Sequence, residues 1–234
     1  MIVEGAIAVK AVINSEKRLV RKVYIRKDKK TKDFNYIRKL CRNKNIILEE
    51  LESAMLEEYT KGKSHGGICA EVENRKYDEF TDGDIFFLDG IEDPFNLGYA
   101  MRTLYALGVK NVLLSQRDYD AMEAQLLKSS AGAYEMLNIK IADDIQKEIK
   151  EYKDNGYYLY GLYRGDNSKD VFDTKFKEKA LFMLGGEKRG ISSQLLELCD
   201  EYLFISYGSD FRNSLNACGA LDVVATLLYS QRRK

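Results

Sequence analysis

Three short clusters in this chain carry side chains able to do chemistry, and each follows directly on an apolar run. The first is Leu88-Asp89-Gly90-Ile91-Glu92-Asp93-Pro94-Phe95-Asn96-Leu97-Gly98, with Arg102 one helical turn further on. It falls where a strand gives way to a helix, the position at which open α/β sheets place their functional groups. Pro94, the single proline, fixes a turn there, and Asn96 is well placed to cap the helix that follows. Capping alone would account for Asn96. Arg102 sits in a helix that is apolar at Leu97, Met101, Leu104 and Leu107, so its guanidinium belongs either in a surface ion pair or beside a site.

The second cluster, Leu184-Gly185-Gly186-Glu187-Lys188-Arg189-Gly190-Ile191-Ser192, also closes an apolar strand. Paired glycines let backbone amides approach a ligand. Ile191-Ser192 stands where a phosphate-binding Walker loop needs Lys-Ser/Thr, so a phosphate cradle is not indicated, and a turn in which Glu187 pairs with Lys188 or Arg189 is the bland alternative. The third cluster runs from Ile205-Ser206-Tyr207-Gly208 to Arg212-Asn213-Ser214-Leu215-Asn216, opening a helix apolar at Leu215, Cys218, Leu221, Val224 and Leu228. Ser214 has the chemistry of an N-cap, and the free amides of a helix start also suit a phosphate or carboxylate.

These clusters need a frame to hold them. Up to about residue 72 the chain alternates helical and β patterns: helix from Glu4 to Ile13, strand from Arg21 to Ile25, helix from Asn35 to Arg42, β from Ile46 to Leu48, helix from Leu51 to Tyr59 and strand from Ile68 to Val72. From Asp84 onward the strands are nearly continuous apolar runs at Ile85–Leu88, Asn111–Leu114, Leu137–Ile141, Tyr157–Leu162, Ala180–Leu184 and Tyr202–Ile205. Such runs fit a mainly parallel sheet covered on both faces. Helical patterns at Leu97–Leu107, Ala121–Ser130, Ile145–Asp154, Ser193–Cys199 and Leu215–Arg233 separate them, with Gly108 and Gly156 where helix ends favour a left-handed residue. The polar stretch from Asn74 to Gly83 reads as a linker.

Formal charge balances at 37 basic and 37 acidic residues, yet between Lys10 and Lys44 fourteen Lys or Arg face only Glu16, Asp28 and Asp33. A phosphate backbone would be attracted there, although a solvated domain face explains it equally well. Cys41, Cys69, Cys199 and Cys218 are scattered and His65 is the one histidine, which argues against a zinc site and a disulfide framework. The pattern suits a reduced, cytoplasmic protein, and no apolar run approaches the roughly 20 residues that span a bilayer.

Taken in order, Asn-x-Gly-x-x-x-Arg at 96–102, Gly-x-Glu-x-x-Gly at 185–190 and Ser-Leu-Asn at 214–216 resemble the three motifs of the SpoU (TrmH-like) family of RNA 2′-O-ribose methyltransferases, within the SPOUT superfamily. The resemblance covers essentially the whole chain, because the N-terminal part looks like the ribosomal-protein-like substrate-binding domain many members carry, including Gly62-Lys63-Ser64-His65-Gly66-Gly67-Ile68 before its last strand. It implies a small α/β RNA-binding domain over 1–75, a linker over 76–83, and a mainly parallel-sheet α/β-knot (deep trefoil) methyltransferase domain over 84–234. It also implies S-adenosylmethionine as cofactor and a homodimer. By motif, Gly185, Gly186, Ile205, Leu215 and Asn216 would bind the cofactor, largely through backbone groups, while Asn96, Arg102, Glu187, Ser214 and Asn216 would be catalytic and site-shaping.

Arg102 is then the candidate for activating a ribose hydroxyl. With a pKa above about 12, orienting the hydroxyl and stabilising developing alkoxide charge suits it better than accepting the proton, which an RNA phosphate held by Ser214 would take. Glu187 would fix either the cofactor loop or Arg102. Four departures bear on the shape of the pocket and the His65 loop: Ser206 in place of proline, one extra residue between Ile205 and Ser214, Ala217-Cys218-Gly219 after Asn216, and Gly66 in place of glutamine. The leading expectation is methylation of structured RNA, ribosomal rather than transfer RNA. The rivals are a non-catalytic RNA-binding protein that keeps the fold and a small-molecule methyltransferase, the latter disfavoured by the basic stretch.

Overall fold

Left-handed glycines and apolar stripes divide the chain into its elements. The structure, a computed structural model, describes residues 1–60, 65–186 and 190–233. They group into two compact units, Met1–Lys76 with Tyr119–Met136, and Tyr77–Asp118 with Leu137–Lys234.

The first unit begins with β1 (Ile2–Glu4), α1 (Ala6–Ser15), β2 (Val20–Arg26), α2 (Lys32–Asn43), β3 (Ile47–Leu51), α3 (Ser53–Tyr59) and β4 (Ile68–Val72). The helical pattern read from Glu4 starts later than expected because Gly5, at φ +91°, breaks it, and residues 2–4 form a strand antiparallel to β4 instead. The sheet order is β1-β4-β2-β3, with β2 antiparallel to β4 and parallel to β3. Ala8, Val9, Val12 and Ile13 of α1 and Phe34, Ile37 and Cys41 of α2 are buried at helical spacing.

Much of the basic stretch is internally neutralised. Lys10 pairs with Asp33, Lys22 with Glu49, Arg26 with Asp28, Lys27 with Glu52, Arg38 with Glu50 and Lys44 with Glu16. Arg18 is not a surface cation at all, being buried between Glu123 and Glu135. Burial works against its charge, and Glu135 and Glu123 outweigh that, so the guanidinium is held above its ordinary value.

The second unit opens with β5 (Ile85–Leu88), α4 (Pro94–Ala106) and β6 (Asn111–Ser115). The chain then contributes α5 (Glu123–Ser129) and α6 (Ala133–Met136), which bring Glu123 and Glu135 into the first unit. It continues through β7 (Asn138–Ala142), α7 (Ile145–Asp154), β8 (Tyr158–Leu162), β9 (Lys169–Asp170), β10 (Ala180–Leu184), α8 (Ser193–Leu196), β11 (Glu201–Phe204) and α9 (Ala217–Arg232). Seven strands run in the order β7-β6-β5-β10-β8-β11-β9, and every pairing is parallel.

Side-chain alternation assigns the two faces of this sheet. Phe86, Phe182 and Tyr160 are register partners on β5, β10 and β8, and their rings stack at 4.9 and 5.1 Å. On the opposite face Ile85, Phe87, Leu113, Leu159, Leu181 and Met183 pack with Ile149 of α7 and Leu195 of α8. Both faces are covered, which is why these strands carry no polar alternation. Helices α4 and α9 pack against each other and bury Leu97, Met101 and Leu104 on one, Leu221, Val224 and Leu228 on the other.

Candidate active site

A cavity of about 400 Å³ opens at the carboxyl ends of β8, β10 and β11, where parallel sheets place their ligands. Its size falls within the range of roughly 300–1,000 Å³ typical of small-molecule and cofactor sites. Each of the three strands ends on its wall, at Leu162, Leu184 and Phe204.

After β10 the wall is backbone. Gly190 N–H donates to the Gly186 carbonyl at 3.0 Å, closing a small antiparallel bridge. A Cβ on Gly185 would lie 2.0 Å from the Gly190 carbonyl carbon, and one on Gly186 would lie 2.2 Å from the Gly90 oxygen. The paired glycines are therefore required first by chain meeting chain, and both line the cavity. The segment after β11 supplies Ile205, Tyr207, Arg212, Ser214 and Leu215, and α9 supplies Ala217 and Ala220. Two guanidiniums, Arg164 and Arg212, line the cavity, and among the described residues no carboxylate does. Apolar walls at Leu184, Leu203, Ile205 and Leu215, beside bare glycine backbone, suit a ligand with one flat apolar part and polar groups read by main-chain atoms.

Of the residues singled out by spacing, Gly185, Gly186, Ile205, Ser214 and Leu215 come together on this wall. Asn216 follows directly and is the N-cap of α9, its side-chain oxygen accepting from Gly219 N–H at 2.7 Å. The helix thus starts at Ala217 rather than Leu215, and Ser214 is not its cap. Asn96 does not cap α4 either: the Asp93 carboxylate does, accepting from the amides of Phe95 and Asn96 at 3.3 and 3.2 Å. The Asn96 carbonyl instead accepts from the Cys218 thiol at 3.2 Å, tying the start of α4 to the start of α9.

Arg102 is exposed, lies outside the cavity wall, and has no hydrogen bond or ion pair among the described residues. It shares a helix face with Phe95 and Tyr99, both about half exposed, at i, i+4 and i+7. Glu187 lies outside the described residues. His65 is buried in a turn, its Nδ1 accepting from Gly67 N–H at 3.1 Å. The wall residues Leu162-Tyr163-Arg164 were not anticipated, and the available signal was only that they follow an apolar strand, as the other clusters do. Asp89, at the end of β5, accepts from the Ser115 hydroxyl at 3.2 Å, and burial pushes its carboxyl up against the effect of that bond.

Comparison with known proteins identifies the family and the fold. The sequence model of the SpoU rRNA Methylase family matches residues 84–226, and a model described as RNA 2'-O ribose methyltransferase substrate binding matches residues 2–78. A Staphylococcus epidermidis protein named for the TrmH family of tRNA/rRNA methyltransferases is 28% identical over 245 residues, spanning 100% of this chain and 97% of the relative. The SpoU methyltransferase AviRb from Streptomyces viridochromogenes, solved in complex with AdoMet, superposes with a TM-score of 0.77 at 20% identity, over 99% of this chain and 90% of its own. An AdoMet-bound rRNA methyltransferase from Sinorhizobium meliloti gives 0.79 at 14% identity, over 100% and 88%. The fold is that of these methyltransferases, the α/β-knot fold carried behind a small α/β domain.

Proposed function

We propose a specific reaction for this chain, which belongs to the SpoU rRNA methylase family: transfer of a methyl group from S-adenosylmethionine to a ribose 2′-hydroxyl of RNA, with ribosomal RNA as the substrate. The observation that carries the reading is the glycine-backbone cavity, inside the segment matched by the family, whose wall gathers residues of the second and third motifs. The match of residues 2–78 to a 2'-O ribose methyltransferase substrate-binding model supports the ribose as acceptor. AdoMet in two structures of the same fold supports the cofactor.

Bound in this cavity, the cofactor would supply a methyl group on a positively charged sulfur. Gly185 and Gly186 would hold it by backbone, with Ile205 and Leu215 against its apolar part. Asn216 fixes the first turn of α9, and the Leu215 amide donates to the Tyr207 hydroxyl at 3.1 Å, so the third motif is braced before any ligand arrives. The exposed Ser214 hydroxyl on the wall is free to hold an RNA phosphate. As the new O–C bond forms the methyl–sulfur bond would break, its electron pair leaving with sulfur as a neutral thioether, and the ribose oxygen must shed its proton, which passes to that phosphate or to water.

Arg102 supports this chemistry across a homodimer. The α4 face that carries it also exposes Phe95 and Tyr99, and an exposed apolar stripe of this kind marks a protein–protein contact. Pairing through that face lets a guanidinium outside its own cavity orient the hydroxyl in a second copy's site. Residues 1–75 then serve as the RNA-binding domain and 84–234 as the catalytic one, joined through 76–83, in a cytoplasmic enzyme.

Labelled methyl transfer to unmodified ribosomal RNA tests the proposal, because a 2′-O-methyl makes its phosphodiester resistant to alkali. Wild type should create one new alkali-resistant linkage, and Arg102→Ala should lose transfer by about 100-fold or more while binding cofactor normally. Methylation that leaves the linkage alkali-labile would refute the ribose assignment.

A further inference from the structure

We propose that Tyr207, Phe211 and Arg164 form a stacking platform at the cavity mouth for an unstacked base of the RNA substrate, with Arg212 on a neighbouring phosphate. The inference rests on RNA being the substrate, as argued above, and adds the residues that would grip the nucleotide.

Tyr207 and Phe211 lie between β11 and α9, and Arg164 follows β8. The rings of Tyr207 and Phe211 lie 5.9 Å apart at 47°. The Arg164 guanidinium sits 5.4 Å from the Tyr207 ring centre and 6.0 Å from that of Phe204. The Leu215 amide donates to the Tyr207 hydroxyl, which anchors that ring. Phe211 is 51% exposed. A lone exposed phenylalanine would be unremarkable, but this one joins an aromatic–guanidinium cluster whose Tyr207 and Arg164 line the cavity. RNA-binding proteins hold splayed bases on such aromatic and arginine planes.

Charge favours RNA over the cofactor as the occupant. Arg164 and Arg212 have no carboxylate partner among the described residues, on a molecule that pairs many of its basic side chains. The cofactor offers a single carboxylate, enough for one guanidinium at most. A phosphodiester beside a flat base satisfies both arginines and the rings together.

The chain contains no tryptophan, so Phe211→Trp places one reporter on the platform. Its emission should be quenched by single-stranded polyadenylate and not by inorganic polyphosphate. In steady-state transfer, Phe211→Ala should raise the KM for ribosomal RNA by about 5- to 150-fold, the span expected for one lost stacking contact. Its kcat and its calorimetric affinity for S-adenosylmethionine should stay as in wild type. Arg164→Met should shift the RNA KM in the same direction. Equal quenching by polyphosphate would show attraction by charge alone and overturn the platform. So would an unchanged RNA KM in Phe211→Ala, or a loss that follows cofactor affinity instead. Quenching by polyadenylate in a protein that methylates no RNA would retain the platform and remove the reaction proposed above.

Discussion

Substituting Gly185 by alanine puts the cavity's construction to its most direct test. The new Cβ would lie 2.0 Å from the Gly190 carbonyl carbon, 2.3 Å from the Ile191 nitrogen and 2.4 Å from the Gly190 oxygen, all backbone atoms. Real Cβ contacts stay beyond 3.0 Å, so the Gly190–Ile191 backbone must withdraw by about 1 Å. No side-chain rotation can relieve this, and the strain compares with overpacking a core, about 1–3 kcal/mol. For a chain of this size that lowers Tm by about 2–12 °C. The displaced backbone is cavity wall, and a 1 Å misplacement in a site can cost about 100-fold in turnover. Gly208→Ala is the matched control, because no heavy atom lies within 4 Å of its added Cβ and its backbone is not left-handed. It should stay within about 0.5 kcal/mol of wild type. Thermal melts with calorimetric titration of S-adenosylmethionine read both effects. A Gly185→Ala protein that melts and binds like Gly208→Ala would refute the claim that backbone meeting backbone sets this wall.

In the first unit, Glu135→Ala removes the carboxylate that Arg18 Nε reaches at 3.3 Å and leaves the buried guanidinium with Glu123 alone, so denaturant melts should show a loss of at most about 3–5 kcal/mol. Lys32, Lys39 and Arg42 share one face of α2 without an ion-pair partner among the described residues. If they meet RNA phosphates, Lys39→Glu with Arg42→Glu should flatten the slope of log affinity against log salt by about 1.4–1.8, and an unchanged slope would clear that face of the role. Burial raises the Asp89 pKa, so its contribution to stability is fullest below the ordinary carboxylate range and is lost as pH rises through its folded pKa. Asp89→Asn, which can still accept from Ser115, should therefore melt above wild type at pH 7, with the gap closing on acidification; a gap independent of pH would contradict the assignment to ionisation.

The second unit was largely legible because its strands are buried on both faces. Ile85–Leu88 and Ala180–Leu184 stand out as uninterrupted apolar runs, and both are strands with those bounds. Short or half-exposed elements left weaker traces. β9 has two residues, and β1 was absorbed into a helical pattern that only the φ of Gly5 interrupts. Caps were misplaced for a related reason. Asp93, Asn96, Ser214 and Asn216 all have side chains able to cap, and the choice between neighbours depends on where the preceding loop delivers the chain. The charge count overstated the unpaired positive charge of the first unit because Glu49, Glu50 and Glu52, which pair with Lys22, Arg38 and Lys27, come from β3 and the residue after it, beyond the stretch itself.

The site divides along the same physical line. Residues whose role is to let backbone pass backbone, Gly185 and Gly186, are fixed by local sequence, because no other residue type fits between Gly90 and Gly190–Ile191. Ser214 and Leu215 reach the wall because Asn216 stops α9 one residue short of them. Arg102 belongs to a different class. Its helix buries Leu97, Met101 and Leu104 inward, so the spacing that directs those residues to the core turns Arg102, with Phe95 and Tyr99, outward. A motif residue that helical geometry excludes from its own cavity, yet sets in an exposed aromatic stripe, makes sense as a group that works on a second copy of the chain. Mixing Arg102→Ala with Gly185→Ala subunits tests this: each homodimer should be inactive, and a mixed dimer should regain one working site. Mixtures no more active than either parent would confine Arg102 to its own subunit.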